Sequence, residues 1–204
     1  MHACIARPSA ATTEPETVMS APVAPALSTS ASDEAIASFS RSHAHIVEAM
    51  DRLRVLPMQL AQRGLDEGVR NNAAYVHRFF HDAVLEHHDE EERELFPSLR
   101  HSASAGDEAG LVESLIHRLE REHRELEQLW DRIEPGLRRL GRGKLAPIDE
   151  AAIEALATRY VAHARFEEAA VLPLAAKMLS AGDRAALALG LAMRRHPVRY
   201  SAYI

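Results

Sequence analysis

Six side chains stand out by type and spacing. Four histidines, His43, His87, His123 and His163, each fall in a separate amphipathic stretch, at positions where the local pattern calls for an apolar residue. Two of them are followed four residues later by a glutamate, giving His87-x3-Glu91 and His163-x3-Glu167. Four residues of α-helix advance about 400°, so each such pair shares one face with Cβ atoms roughly 6 Å apart. Four imidazoles and two carboxylates are thereby aimed into one interior. A buried carboxylate costs several kcal/mol unless something compensates it, and no Lys or Arg occupies the central positions of these stripes. Metal cations would compensate both. One histidine on an apolar stripe is more often a hydrogen-bonded core residue than a ligand; four of them, two with a glutamate at the fourth position, favour a metal centre.

The donor types narrow the ion. Imidazole with carboxylate suits iron, manganese or zinc, and the single cysteine, Cys4, excludes a thiolate or iron–sulfur site. A ferritin-like di-iron site needs Glu-x2-His on two helices. Only Glu120-x2-His123 has that spacing, so the site is of another type, with Glu120 retained as an auxiliary candidate. His45, His88 and His117 lie off the stripe axes and His77 and His81 near an edge, which places most of them at the surface; His81 or His88 could support the ligands from outside. His88 and Glu92 have the same spacing as His87 and Glu91, so a slip of one residue is the main competing register. His2, His101 and His196 look peripheral.

Elements that carry these residues follow from the three-four rhythm of apolar positions. A first helix starts near Ser32 or Asp33, with Ile36, Phe39, His43, Ile46, Met50 and Leu53 on one face and Pro57 expected to end or kink it. A second spans about 69–99 through Val76, Phe80, Val84, His87, Glu91 and Leu95, with Pro97 expected to kink or stop it. A third, capped by Asp107, carries Val112, Leu115, Leu119, His123, Leu126, Trp130 and Ile133, with a bend expected at Pro135-Gly136. A fourth opens near Pro147 and shows Ala152, Leu156, Tyr160, His163, Glu167, Ala170 and Leu174. A short fifth helix over roughly 182–195 covers one end. The expected fold is all-α, an antiparallel up-down four-helix bundle over 32–180, followed by a short helix and tail over 181–204. Residues 1–31, rich in Ala, Ser, Thr and Pro, read as a disordered tail.

Composition agrees. The 204 residues are 47% hydrophobic but only 5% aromatic, which favours helices over sheets. A formal charge of −6, with no basic and aromatic patch, argues against nucleic acid as a partner. No run of 18 apolar residues and no signal-like N-terminus occur, so no membrane span and a cytoplasmic location are expected.

The segments HAHIVEAM (43–50), HHDEEERELFP (87–97), EHRELEQLW (122–130) and HARFEEAAVLP (163–173) resemble the hemerythrin-like, or HHE cation-binding, domain. In both His-x3-Glu copies a proline lies six residues after the glutamate, at Pro97 and Pro173, which favours His87/Glu91 over His88/Glu92. The resemblance implies a four-helix bundle with an oxo- or hydroxo-bridged pair of irons. In it Glu91 and Glu167 bridge, and His43 and His123 are the first- and third-helix ligands. The sequence departs from oxygen-carrying hemerythrins: Leu119 stands where they have a further histidine, and the last carboxylate is a glutamate at the fourth position rather than an aspartate at the fifth. Both departures count against reversible oxygen transport and bring the site nearer bacterial four-His, two-Glu members, including iron-cluster repair proteins, whose N-terminal cysteine-containing domain is absent here. Two histidines and two bridging carboxylate oxygens per iron, plus a solvent bridge, leave one position for O2, NO or peroxide. The resulting expectation is a di-iron protein that binds or senses such a ligand or handles iron. The competing expectations are an enzyme reducing peroxide or NO, and a structural bundle holding zinc or no metal.

Overall fold

The computed structural model describes residues 29–195, with side chains from Glu34 onward, so Cys4, His2, His196 and the expected tail up to Ser28 lie outside the described residues. Five helical rods make up the described chain: α1 (Thr29–Arg63), α2 (67–102), α3 (Asp107–Gly141), α4 (150–178) and α5 (Ala181–Arg195). Each of the first four packs on the next and α4 returns to α1, closing a ring, while α5 lies against α1 and α2. The core falls into two apolar clusters. Along α1 the chain passes from Phe39 in one cluster to Ile46 in the other; along α2 it passes back, from Val84 to Leu95. The third and fourth helices repeat the alternation, Leu119 to Leu126 and Tyr160 to Val171, as an up-down bundle requires. The layer between the clusters holds the histidines and glutamates.

Several boundaries differ from the sequence expectation. The first helix begins at Thr29, inside the stretch expected to be a tail, and runs through Pro57 to Arg63. Leu56, fully buried, and Leu60, packed on the core, keep the last turns in place after the proline removes one hydrogen bond. Pro135 likewise stays within an uninterrupted α3. At the start of α3 the cap is Gly106 (φ +98°) rather than Asp107, which occupies the first helical turn; a positive φ is open to glycine at little cost. The fourth helix opens at Glu150, where the Asp149 carboxylate accepts the Ala152 N–H at 2.9 Å.

The prolines Pro97 and Pro173 do not stop their helices, and the reason bears on the site. A π turn precedes each: Glu91–Leu95, closed by the Phe96 N–H on the Glu91 carbonyl, and Glu167–Val171, closed by the Leu172 N–H on the Glu167 carbonyl. Proline in a regular helix leaves a carbonyl without its donor and collides with it. The widened turn immediately ahead of each proline takes up that misfit, and π turns of this kind are frequent at functional sites. Each begins at one of the two candidate glutamates. The extra residue also shifts the register: beyond Glu167 the buried positions are Val171, Leu172, Ala175 and Leu179, and the expected Ala170 and Leu174 are only half-buried. A third π turn, Phe80–Val84, lies earlier in α2.

Candidate metal centre

The structure brings all six sequence-derived candidates together. His43, His87, His123 and His163 are 0–3% exposed, and Glu91 and Glu167 are 0% exposed. Their Nε2 atoms face the two carboxylates. His43 Nε2 lies 2.9 Å from Glu167 Oε2 and 3.8 Å from Glu91 Oε1, and His87 Nε2 lies 3.0 Å from Glu91 Oε1. From the opposite side, His123 Nε2 lies 3.3 Å from Glu91 Oε2 and His163 Nε2 3.7 Å from Glu167 Oε2. None of these approaches has hydrogen-bond alignment: all four Nε2 atoms and all four carboxylate oxygens are buried without a hydrogen-bond partner. Buried polar atoms are normally paired. Eight orphans pointing at one another form a donor set for cations, and nothing else within the layer satisfies them.

Carboxylates at the rim fix three of the rings. His43 Nδ1 donates to Glu168 at 2.9 Å, His123 Nδ1 to Glu92 at 2.8 Å and His163 Nδ1 to Glu122 at 3.0 Å. Each bond holds the proton on Nδ1 and turns the Nε2 lone pair inward, the arrangement that orients a metal-binding imidazole. Arginines in turn hold two of these carboxylates: Arg124 pairs with Glu92, and Arg118 Nε with Glu122 at 2.7 Å. The His163 hydrogen bond, followed by Arg118, pulls the Glu122 carboxyl down to about 2 against the opposing effect of partial burial. Glu92 is lowered in the same way, first by its bond to His123. Sequence raised Glu92 only as a ligand in the competing register with His88, and did not identify Glu122 or Glu168. The signal was present in the doubled Glu91-Glu92 and Glu167-Glu168, whose first members turn inward and whose second members reach the neighbouring helix's histidine.

Electrostatics of the metal-free layer follow from the same contacts. Burial lowers the His43 pKa, but the Glu167 and Glu91 carboxylates and the Glu168 bond outweigh it and raise it to about 9. His123 reaches about 9 likewise, burial being outweighed by Glu91 and Glu92. Burial opposes ionisation of Glu91 as well, yet the facing His87 and His123 hold its carboxyl well below the usual range. Without metal, protons on His43 and His123 balance the buried carboxylates.

One expectation is corrected. His88 is not at the surface but 2% exposed, lying face to face with His123 at a ring separation of 4.0 Å and sharing a 3.0 Å hydrogen bond between its Nε2 and the Tyr160 hydroxyl. Its donor atoms lie within 4.8 Å of those of His123 and His163. Burial, then the neighbouring His123, keeps it neutral. Two consecutive residues cannot share one helical stripe, so periodicity assigned His88 outward. The clue was Tyr160 in the apolar stripe of α4, whose hydroxyl needs a buried partner. Beside it opens a cleft of about 870 Å³ lined by His81, Glu86, His88, Glu92, Arg124 and Glu127 among others. Glu120 is not part of the site; its carboxylate pairs with Arg100 at 3.4 Å. His45, His101 and His117 are exposed, as expected.

The family model for the Hemerythrin HHE cation binding domain matches residues 34–175. An uncharacterized protein of Haemophilus influenzae is 28% identical over 126 residues, covering 62% of this chain and 70% of that protein. Among the described residues no helix is long and apolar enough to cross a membrane.

Proposed function

This chain belongs to the hemerythrin HHE cation-binding domain family, and from that premise we propose that it is a non-haem di-iron protein that binds or senses O2, NO or peroxide, or takes part in handling iron. What carries the reading is the eight buried, unpaired donor atoms of His43, His87, His123, His163, Glu91 and Glu167. His43 and His87 would hold one ion, His123 and His163 the other, with Glu91 and Glu167 shared between them. When bound, such a pair of irons supplies an open coordination position for a small ligand and one-electron redox chemistry. Manganese or zinc would satisfy the same donors.

The chain's own residues set the conditions. Rim carboxylates Glu92, Glu122 and Glu168 hold three imidazoles in one tautomer, and two apolar clusters seal the layer from above and below. His88 and Tyr160 form a polar wall on the His123/His163 side, and His88 lines the 870 Å³ cleft that opens to solvent. A diatomic ligand or peroxide entering the cleft would meet this wall before the centre. The test is a spectroscopic titration of iron-loaded protein with NO, and separately with azide as a small anion. Ligand-dependent bands in the near-ultraviolet and visible, saturating at one ligand per pair of irons, support the reading. Bands that neither ligand perturbs would leave a metal-binding bundle without ligand chemistry.

A further inference from the structure

We propose a second metal site on the surface of the bundle, formed by His77, His81 and Glu134, that takes a late first-row divalent ion such as Cu2+, Ni2+ or Zn2+. His77 and His81 are four residues apart on α2, with rings 5.0 Å apart, and Glu134 comes from the facing turn of α3. One donor atom from each lies within 4.8 Å of the others. Two imidazoles at this helical spacing are a recurrent chelating pair, and a carboxylate from a neighbouring helix completes a three-donor face open to solvent. The Glu134 carboxylate is already poised: its Oε1 lies 2.8 Å from His77 Nε2 and 3.2 Å from Arg138 Nε, which leaves Oε2 open. His77 and Glu134 side chains are 22% and 21% exposed, which limits their motion, while His81 is exposed and free to swing onto the ion. Imidazole pairs suit copper, nickel and zinc, and affinity for a given nitrogen and oxygen donor set is greatest for ions late in the first row.

The site differs from the interior centre in position and exposure, and it does not depend on that centre holding iron. It also carries its own reporter. Trp130 is the chain's one tryptophan, and its ring lies 6.2 Å from that of His77 and 6.0 Å from that of His81. A paramagnetic ion bound there quenches its fluorescence.

The experiment titrates the full-length chain, its interior metal content measured beforehand, with Cu2+ and Ni2+ while following Trp130 emission. The expected result is saturable quenching at one ion per chain. His81→Ala and His77→Ala should each weaken it by at least about tenfold, since loss of even an outer partner of a metal site costs ~10–100-fold. His117→Ala, an exposed histidine paired with Glu113 at 3.1 Å, should leave the midpoint unchanged. Quenching that is absent, or that persists unweakened in His77→Ala and His81→Ala, overturns the site. Because His81 is exposed, its alanine variant folds, and the result reads binding alone.

Discussion

Removing the metal should leave a protein whose stability falls as pH rises from about 6.5 to about 9. Without cations, the buried Glu91 and Glu167 are balanced by protons on His43 and His123, both raised from 6.5 to about 9 in the folded chain. A group whose pKa is raised on folding contributes stability in full below its unfolded value and loses it as pH passes its folded value. Each shift corresponds to roughly 3 kcal/mol. The two rings face the same carboxylates, so their joint contribution is on the order of 3–6 kcal/mol, against roughly 5–15 kcal/mol for a whole domain. In the loaded protein the Nε2 atoms hold ions instead of protons, and the same window should be flat. The assay is denaturant unfolding of stripped and loaded protein between pH 6 and pH 9.5. The reasoning fails if the stripped protein is equally stable, or more stable, at the alkaline end.

Further outcomes follow from individual contacts. Glu91→Ala and His163→Ala should each lose most of the bound metal, whereas His45→Ala, at an exposed position, should retain it; elemental analysis of the purified variants reads this directly. Glu122→Ala frees the His163 Nδ1 from its 3.0 Å partner and should weaken metal retention about 10–100-fold in competition with a chelator, with the fold unchanged. Gly141→Ala, in the last turn of α3, would set a Cβ at 3.0–3.1 Å from the Ala74 backbone and Cβ; it should destabilise by about 1–3 kcal/mol in chemical denaturation, against a helix-propensity gain of ~1 kcal/mol or less.

How far sequence carries can be traced through α2 and α4. Their apolar periodicity located the helices, and the coincidence of histidine and glutamate within the stripes located the buried polar layer, because burial of charge has so few physical resolutions. What periodicity missed follows from its premise of a regular helix. The π turn at Glu167 adds one residue to the rotation, so Val171 and Ala175 are fully buried while the expected Ala170 and Leu174 only pack against the core from its edge. The six-residue offset from glutamate to proline was visible, but its meaning as a turn that accommodates Pro97 and Pro173 needed the backbone. The burial of His88, which sequence raised only as a support from outside the ligands, was out of reach for a related reason: it depends on a partner, Tyr160, 72 positions away. The rim glutamates lie on the polar faces of their helices, where carboxylates are ordinary, and only the approach of a neighbouring helix gives them a role.

Metal analysis of protein expressed with ample iron, taken together with its visible spectrum, tests the central reading most directly. About two irons per chain are expected, in keeping with two pairs of imidazoles sharing Glu91 and Glu167, with near-ultraviolet bands that respond to NO. A fully folded protein that binds no iron under those conditions, or that holds zinc and shows no such bands, would contradict it.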